Sequence, residues 1–229
     1  MRVIAIIPAR NGSKRIPNKN IKDFKNKPMI SYAINAALSC GEFDEIYVST
    51  DSQEIADIAV KFGAKVPWLR SAELSDDYAT TMEVMSDAVR KILDSTETNS
   101  EVSCIYPCVP LLDPLHISNA LSTMREGKWE FVTTVTRMKY PIHRLLTADQ
   151  NSVLQMMQPA NAGVRTQDLP ITYLDAGQFY WGTKESWLNR KSIFSGTGTF
   201  FELPENSIID IDTVEDWEMA EKIYDQRNS

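Results

Sequence analysis

Short apolar runs that alternate with amphipathic helical stretches constrain the fold of this chain more than any other feature. Val3 to Pro8, Glu45 to Thr50, Glu101 to Tyr106 and Phe131 to Thr136 are each brief, rich in β-branched residues, and read as buried strands. Between them, apolar residues recur at helical spacing. Ile30, Ile34, Ala37 and Leu38 form one stripe, with Pro28 near its first turn and Gly41 just beyond its end. Ile55, Ile58, Ala59 and Phe62 form a second before Gly63; Met85, Ala88, Val89, Ile92 and Leu93 form a third, and Leu115 to Glu126 a fourth. Strand and helix in alternation imply parallel strands joined by right-handed crossovers. The fold class expected is therefore α/β, a mostly parallel, doubly wound, Rossmann-like sheet. Tyr173 to Gly182 and Ile208 to Asp212 add two further predicted strands, and Val214, Trp217, Ala220 and Tyr224 a last helical stripe.

The 229 residues suffice for one large core, so a single domain over 1–229 is expected. A net charge of −7 argues against general nucleic-acid binding, because the basic residues cluster in one loop too small to track a phosphate backbone. No segment approaches the roughly 18 apolar residues of a membrane span, and Val3 to Pro8 is too short for a signal sequence. Cys40, Cys104 and Cys108 lack redox or zinc spacing and read as reduced thiols, which points to a cytoplasmic protein. Two histidines, His116 and His143, make a histidine-based metal site improbable.

Positive charge is concentrated after the first strand. Between Arg10 and Lys27 stand Arg10, Lys14, Arg15, Lys19, Lys22, Lys25 and Lys27 against a single acid, Asp23. A strand running into a small, basic, glycine-containing turn can aim N–H groups and cationic heads at phosphate oxygens. The common nucleotide fingerprints are excluded, since Gly12 is the loop's one glycine where those patterns need two or three.

Carboxylates mark the other end of the chain. On a strand, Asp210 and Asp212 fall on one face, with Ile209 and Ile211 opposite, so the pair can share a hard cation. Asp212 with Glu215, and Asp51 with Glu54, can instead be helix N-caps. Asp175 and Gln178 fall on opposite faces of a strand unless Gly177 opens a bulge that lets both approach one ligand.

The run P-A-R-x-G-S-K-R-I-P-x-K-N, here Pro8 to Asn20, resembles the signature of the cytidylyltransferases that make CMP-activated nine-carbon acidic sugars. A second stretch from Leu69, with Arg70, Ala72-Glu73-Leu74, Asp77, Ala79, Thr80 and Thr81, and an ending I-D-I-D-T-x-E-D-W extend the resemblance over essentially the whole chain. It implies the nucleotide-diphospho-sugar transferase type of sheet, and CTP as co-substrate. Ala9, Arg10, Asn11, Gly12, Ser13, Lys14 and Lys19 would hold the nucleotide, joined by Arg70, Ala79 and Thr81 near the cytosine. Asp210 and Asp212 would hold Mg2+, with Mn2+ a possible substitute; Arg10, Lys19 and Asp212 are the implied catalytic residues. For the sugar it implies Asn20, Tyr106, Asp175, Gln178 and, as a carboxylate clamp, Arg165. Residues 137–170 resemble the family's β-rich extension, which reaches a second subunit, so a homodimer is expected.

One stretch departs from the pattern. Where the family has Q-P-T-S-P-L-R this chain has Tyr106-Pro107-Cys108-Val109-Pro110-Leu111-Leu112. Without the glutamine and arginine, N-acetylneuraminate is disfavoured as acceptor. The segment Asp175 to Gly182 (DAGQFYWG) resembles the branch of the family acting on pseudaminic acid. N-acetylneuraminic, legionaminic or another acidic sugar is the alternative acceptor. A non-catalytic CTP-binding regulatory dimer is the alternative of another class, disfavoured by the presence of both Asp210 and Asp212.

Overall fold

A computed structural model describes residues 1–194, 196–204 and 207–228. The first apolar run becomes strand β1 (Val3–Pro8), in which Ile4, Ala5, Ile6 and Ile7 are fully buried. Burial on both faces is why the run does not alternate with polar residues. β1 pairs in parallel with β2 (Glu45–Ser49) on one side and β3 (Glu101–Ile105) on the other. The sheet continues through β5 (Tyr173–Thr183), β4 (Phe131–Arg137) and β6 (Gly198–Glu202), giving the spatial order β6-β4-β5-β3-β1-β2. β6 runs parallel to β4, whereas β5 is antiparallel to both of its neighbours. The sheet is thus mixed and mostly parallel.

Two layers of helix cover it. Ala5 and Ile7 face a core shared with α1 (Ile30–Cys40), α2 (Gln53–Lys61) and α4 (Pro114–Gly127). Ile4 and Ile6 face the opposite core, built on α3 (Thr81–Ile92) and on Trp187 of α5 (Lys184–Leu188). α1 stops at Gly41, whose φ of 72° is the left-handed cap that glycine adopts without a side-chain penalty. A third, smaller cluster ties the region after β1 to α6 (Val214–Arg227): Phe24 packs edge-on against Tyr32, Trp217 and Tyr224, with Ile16, Met29 and Ile211 around it.

Three expectations change. Residues 208–212 do not form a strand; Ile211, 1% exposed, anchors in the third cluster rather than pairing with a neighbour. The sixth strand is instead Gly198–Glu202, in a glycine- and threonine-rich stretch without a clear alternating pattern. Asp51 and Asp212 do not cap helices. Ser52 accepts from Ile55 N at the start of α2, and Thr213 forms a reciprocal capping box with Asp216 at the start of α6.

Residues 137–170 contain little β-structure: a three-residue ladder, Leu146–Ala148 against Leu154–Met156, and short 3-10 turns. Tyr140, Leu146, Leu154 and Met157 all stand more than half exposed there.

Candidate active site

The ends of β1, β3 and β5, the loop after β1, the turn before α3 and residues 209–212 enclose one cavity of about 810 Å3. The loop after β1 is held from below. Ala9 N donates to Ser49 O at 2.9 Å, Asn11 N donates to Asp51 Oδ1 at 3.0 Å, and Ile16 is buried in the third cluster. Asn20, 5% exposed, donates from Nδ2 to Arg10 O at 2.8 Å and accepts from the Cys108 thiol at 3.2 Å. Burial pushes that thiol up to about 12, so it stays a donor. Fixed at these points, the loop carries Arg10, Ser13, Lys14, Arg15 and Lys19 along one wall.

Those cations meet carboxylates. Arg10 Nη1 pairs with Asp77 Oδ1 at 2.9 Å and donates to Asp76 O at 2.8 Å, and Lys14 pairs with the same Asp77. The Lys14 hydrogen bond, with that of Arg10, draws the Asp77 carboxyl below its ordinary range. Arg15 reaches Asp212 Oδ1 at 2.8 Å. Lys19, less exposed than its neighbours, donates to Ile211 O at 2.6 Å and lies 3.6 Å from Asp212 Oδ1. Phosphate oxygens can take over the pairings of Arg10, Lys14 and Lys19, because a polyphosphate offers several acceptors where each aspartate offers two oxygens.

On a second wall Arg70 is 6% exposed. It bonds Ser49 O at 3.3 Å and Ser75 Oγ at 3.1 Å, and burial lowers its pKa. Ala79 and Thr81 stand beside it, with the Thr81 hydroxyl 3.1 Å from the Tyr106 hydroxyl. At the third side, Asp210 and Asp212 both line the cavity. Burial, and then the charge of Asp212, raise the Asp210 pKa. Two mutually repelling carboxylates beside a phosphate-sized basic wall fit Mg2+, which takes one or two protein carboxylates and fills the rest of its shell with water and phosphate oxygens. Among the described residues no cluster of three or more His, Cys, Asp or Glu could hold a metal by itself.

The structure therefore brings together Arg10, Ser13, Lys14, Lys19, Asn20, Arg70, Ala79, Thr81, Tyr106, Asp175, Asp210 and Asp212. Others fall elsewhere. Ala9 is fully buried and, with Asn11 and Gly12, shapes the loop without lining the cavity. Gly177, at φ 58°, does open a register shift between β4 and β5, but it delivers only Asp175. Gln178 is a correction: its side chain is 2% exposed, bonds Ala176 O at 3.5 Å, and stays in the sheet interior. Arg165 is another. It sits exposed in the extension, paired with Asp168 at 2.7 Å, and does not reach this chain's own cavity.

Sequence reasoning had not singled out Tyr180, Asp76 or Asp77 as site residues, nor Asp51 as the prop of the loop. Asp77 had a signal, the acid doublet following the arginine stretch. Asp51 was masked by its cap-like spacing to Glu54.

Similarity agrees with this geometry. A curated relative, the pseudaminic acid cytidylyltransferase of Campylobacter jejuni, is 41% identical over 224 residues, covering 98% of this chain and 97% of the relative. The CMP-N,N'-diacetyllegionaminic acid synthase of Legionella pneumophila is 35% identical over 230 residues, again covering 98% and 97%. Among solved structures, a CMP:2-keto-3-deoxy-manno-octonic acid synthetase complexed with CTP superposes with a TM-score of 0.73 at 17% identity, over 99% of this chain and all of that one. The family model described as cytidylyltransferase matches residues 4–227, and the chain belongs to that family.

Proposed function

We propose that this enzyme transfers the cytidylyl group of CTP to pseudaminic acid, giving CMP-pseudaminic acid and pyrophosphate. The observation that carries the reading is the cavity itself, about 810 Å3, whose lining joins a basic loop to two carboxylates, Asp210 and Asp212. Full-length similarity to a pseudaminic acid cytidylyltransferase supports the choice of sugar.

Arg10, Ser13, Lys14 and Lys19 receive the triphosphate and stabilise the charge that moves onto the leaving pyrophosphate. Arg70 and the backbone at Ala79 face the cytosine, a buried arginine being a poor neighbour for anything but a hydrogen-bond acceptor. Asp210 and Asp212 hold Mg2+, which supplies charge neutralisation of the phosphates when bound. Asn20 keeps Arg10 in place through its carbonyl. The acceptor site lies at the Tyr106, Asp175 and Tyr180 end of the cavity. The sugar carboxylate is met by Arg165 of a second protomer, since Arg165 does not line the cavity of its own chain and the exposed apolar residues of 137–170 suit a homodimer contact. Among the described residues no helix is long and apolar enough to cross a membrane, in keeping with an enzyme working on water-soluble substrates in the cytoplasm.

Pyrophosphate release tests the reading directly, with CTP set against ATP, GTP and UTP, and pseudaminic acid set against N-acetylneuraminic and legionaminic acids. The expected result is release with CTP and a kcat/KM for pseudaminic acid at least about tenfold above the other sugars, near 1.4 kcal/mol. Equal rates on all three sugars would overturn the acceptor assignment. CTP binding without release would favour the regulatory dimer.

A further inference from the structure

Attack of a sugar hydroxyl on phosphorus sets free a proton that some group must accept. No histidine lines the cavity among the described residues, but five aspartates do: Asp76, Asp77, Asp175, Asp210 and Asp212. Their partners separate them. Asp77 is paired with both Arg10 and Lys14, and Asp212 with Arg15 and, at longer range, Lys19. A carboxylate engaged by two cations has its lone pairs already committed. Asp210 belongs with Asp212 in the pair assigned to the cation. Asp76 Oδ1 accepts from both Tyr78 N and Ala79 N, closing the turn on the cytosine side.

Asp175 differs from all of these. It is held at both oxygens by neutral donors: Oδ2 accepts from the Tyr180 hydroxyl at 2.6 Å, and Oδ1 from Gly177 N at 3.1 Å. Two bonds leave about half of a carboxylate's four lone-pair sites free. The positive φ of Gly177 turns its N–H back onto Asp175, a conformation that a side chain would disfavour. Tyr180 is fixed in turn, 3% exposed, with its ring edge-on to Tyr106 at 5.7 Å, and Tyr106 is tied to Thr81 at 3.1 Å. Burial keeps the Tyr180 phenol protonated, so it remains a donor.

We propose that Asp175 is the proton acceptor for the attacking sugar hydroxyl and that Tyr180 is its positioning residue. The inference rests on the cytidylyl-transfer reading above. In the step, the hydroxyl oxygen forms a bond to the α-phosphorus as its proton passes to Asp175. The bond from that phosphorus to the bridging oxygen breaks, and pyrophosphate leaves with the electron pair. The protonated Asp175 then returns its proton to solvent.

The test uses the full-length enzyme with CTP and pseudaminic acid. Asp175→Asn keeps the shape and the acceptor oxygen but not the basicity, so kcat is expected to fall by about 10²- to 10⁴-fold with both KM values little changed. Asp175→Ala, equally slow, is expected to regain activity as sodium formate is added, while sodium chloride at the same strength gives none. Tyr180→Phe keeps the packing and should lower kcat about tenfold, and it should add nothing to the loss in Asp175→Ala. CTP binding by calorimetry, expected to match wild type in every variant, shows that each is folded. Asp175→Asn with wild-type kcat, or with a raised sugar KM alone, overturns the inference, as does an Asp175→Ala enzyme deaf to formate. Such a failure is distinct from failure of the cytidylyl-transfer reading, which shows as a wild-type enzyme that releases no pyrophosphate.

Discussion

Replacing Lys19 by alanine separates a catalytic cation from a surface one. Lys19 is the most buried of the loop's cations, its side chain 21% exposed, and its ammonium lies 3.6 Å from Asp212 Oδ1. At that separation and an effective dielectric constant near 20, a unit charge pair attracts by about 4–5 kcal/mol before either group's desolvation is subtracted. The net contribution to folding is far smaller, in the range of about 1.5–3 kcal/mol for a charged hydrogen bond such as that to Ile211 O. A domain with roughly 5–15 kcal/mol in hand survives that loss. The effect on catalysis is expected to be larger than the effect on stability, because the same ammonium faces the phosphates as charge moves onto the leaving group. Removing one such preorganised donor costs about 10²- to 10³-fold in kcat. Arg15→Ala is the matched control, since Arg15 also pairs with Asp212 but is 69% exposed, and an exposed pair contributes at most about 1 kcal/mol. Initial rates of pyrophosphate release, with thermal melts in parallel, decide it. Equal activity of Lys19→Ala and Arg15→Ala would refute the argument, as would a melting loss in Lys19→Ala large enough to explain its rate.

Chelator should abolish pyrophosphate release and Mg2+ or Mn2+ restore it; Asp212→Asn should lose activity while melting like wild type, because Thr213 and not Asp212 caps α6. Heterodimers pairing a Lys19→Ala protomer with an Arg165→Ala protomer should retain about half of wild-type activity if Arg165 serves the neighbouring cavity, since one site is then intact; near-zero activity would place its action within its own chain. Gly182→Ala should destabilise the fold by about 1–3 kcal/mol, roughly 2–12 °C in melting temperature, because the added Cβ would lie 2.5 Å from Phe131 and 2.6 Å from Trp187; an unshifted melt would show that the β4–α5 packing gives way easily.

The parallel half of the sheet was legible because its strands are buried on both faces and separated by well-patterned helices with caps such as Gly41. β6 was not, since its pairing with β4 is a long-range choice that local composition does not encode. Ile209 and Ile211 misled for a related reason: their alternation with aspartates copies a half-buried strand, but the isoleucines are claimed by an aromatic cluster from residues 24 to 32 and α6. The basic loop could be read from its charge, and Asp175 from its glycine neighbour. Gln178 could not be placed, because which face a bulged residue takes depends on where the register slips. Asp51 illustrates the remaining gap. Its carboxylate serves an N–H forty positions earlier, a partner no local pattern reveals.

The bond from Lys19 to Ile211 O joins residues 192 positions apart, and the aromatic cluster below it joins Phe24 to Trp217 and Tyr224. During synthesis, then, a nascent chain can assemble β1, β2 and β3 with their helices while the basic loop still lacks its carboxylate wall. Until residues 211 and 212 are in place, Arg15 and Lys19 lack their partners there, while Arg10 and Lys14 can already pair with Asp77. Placing residues 209–212 beside α6 completes the cavity wall, so the reaction centre needs both ends of the described chain.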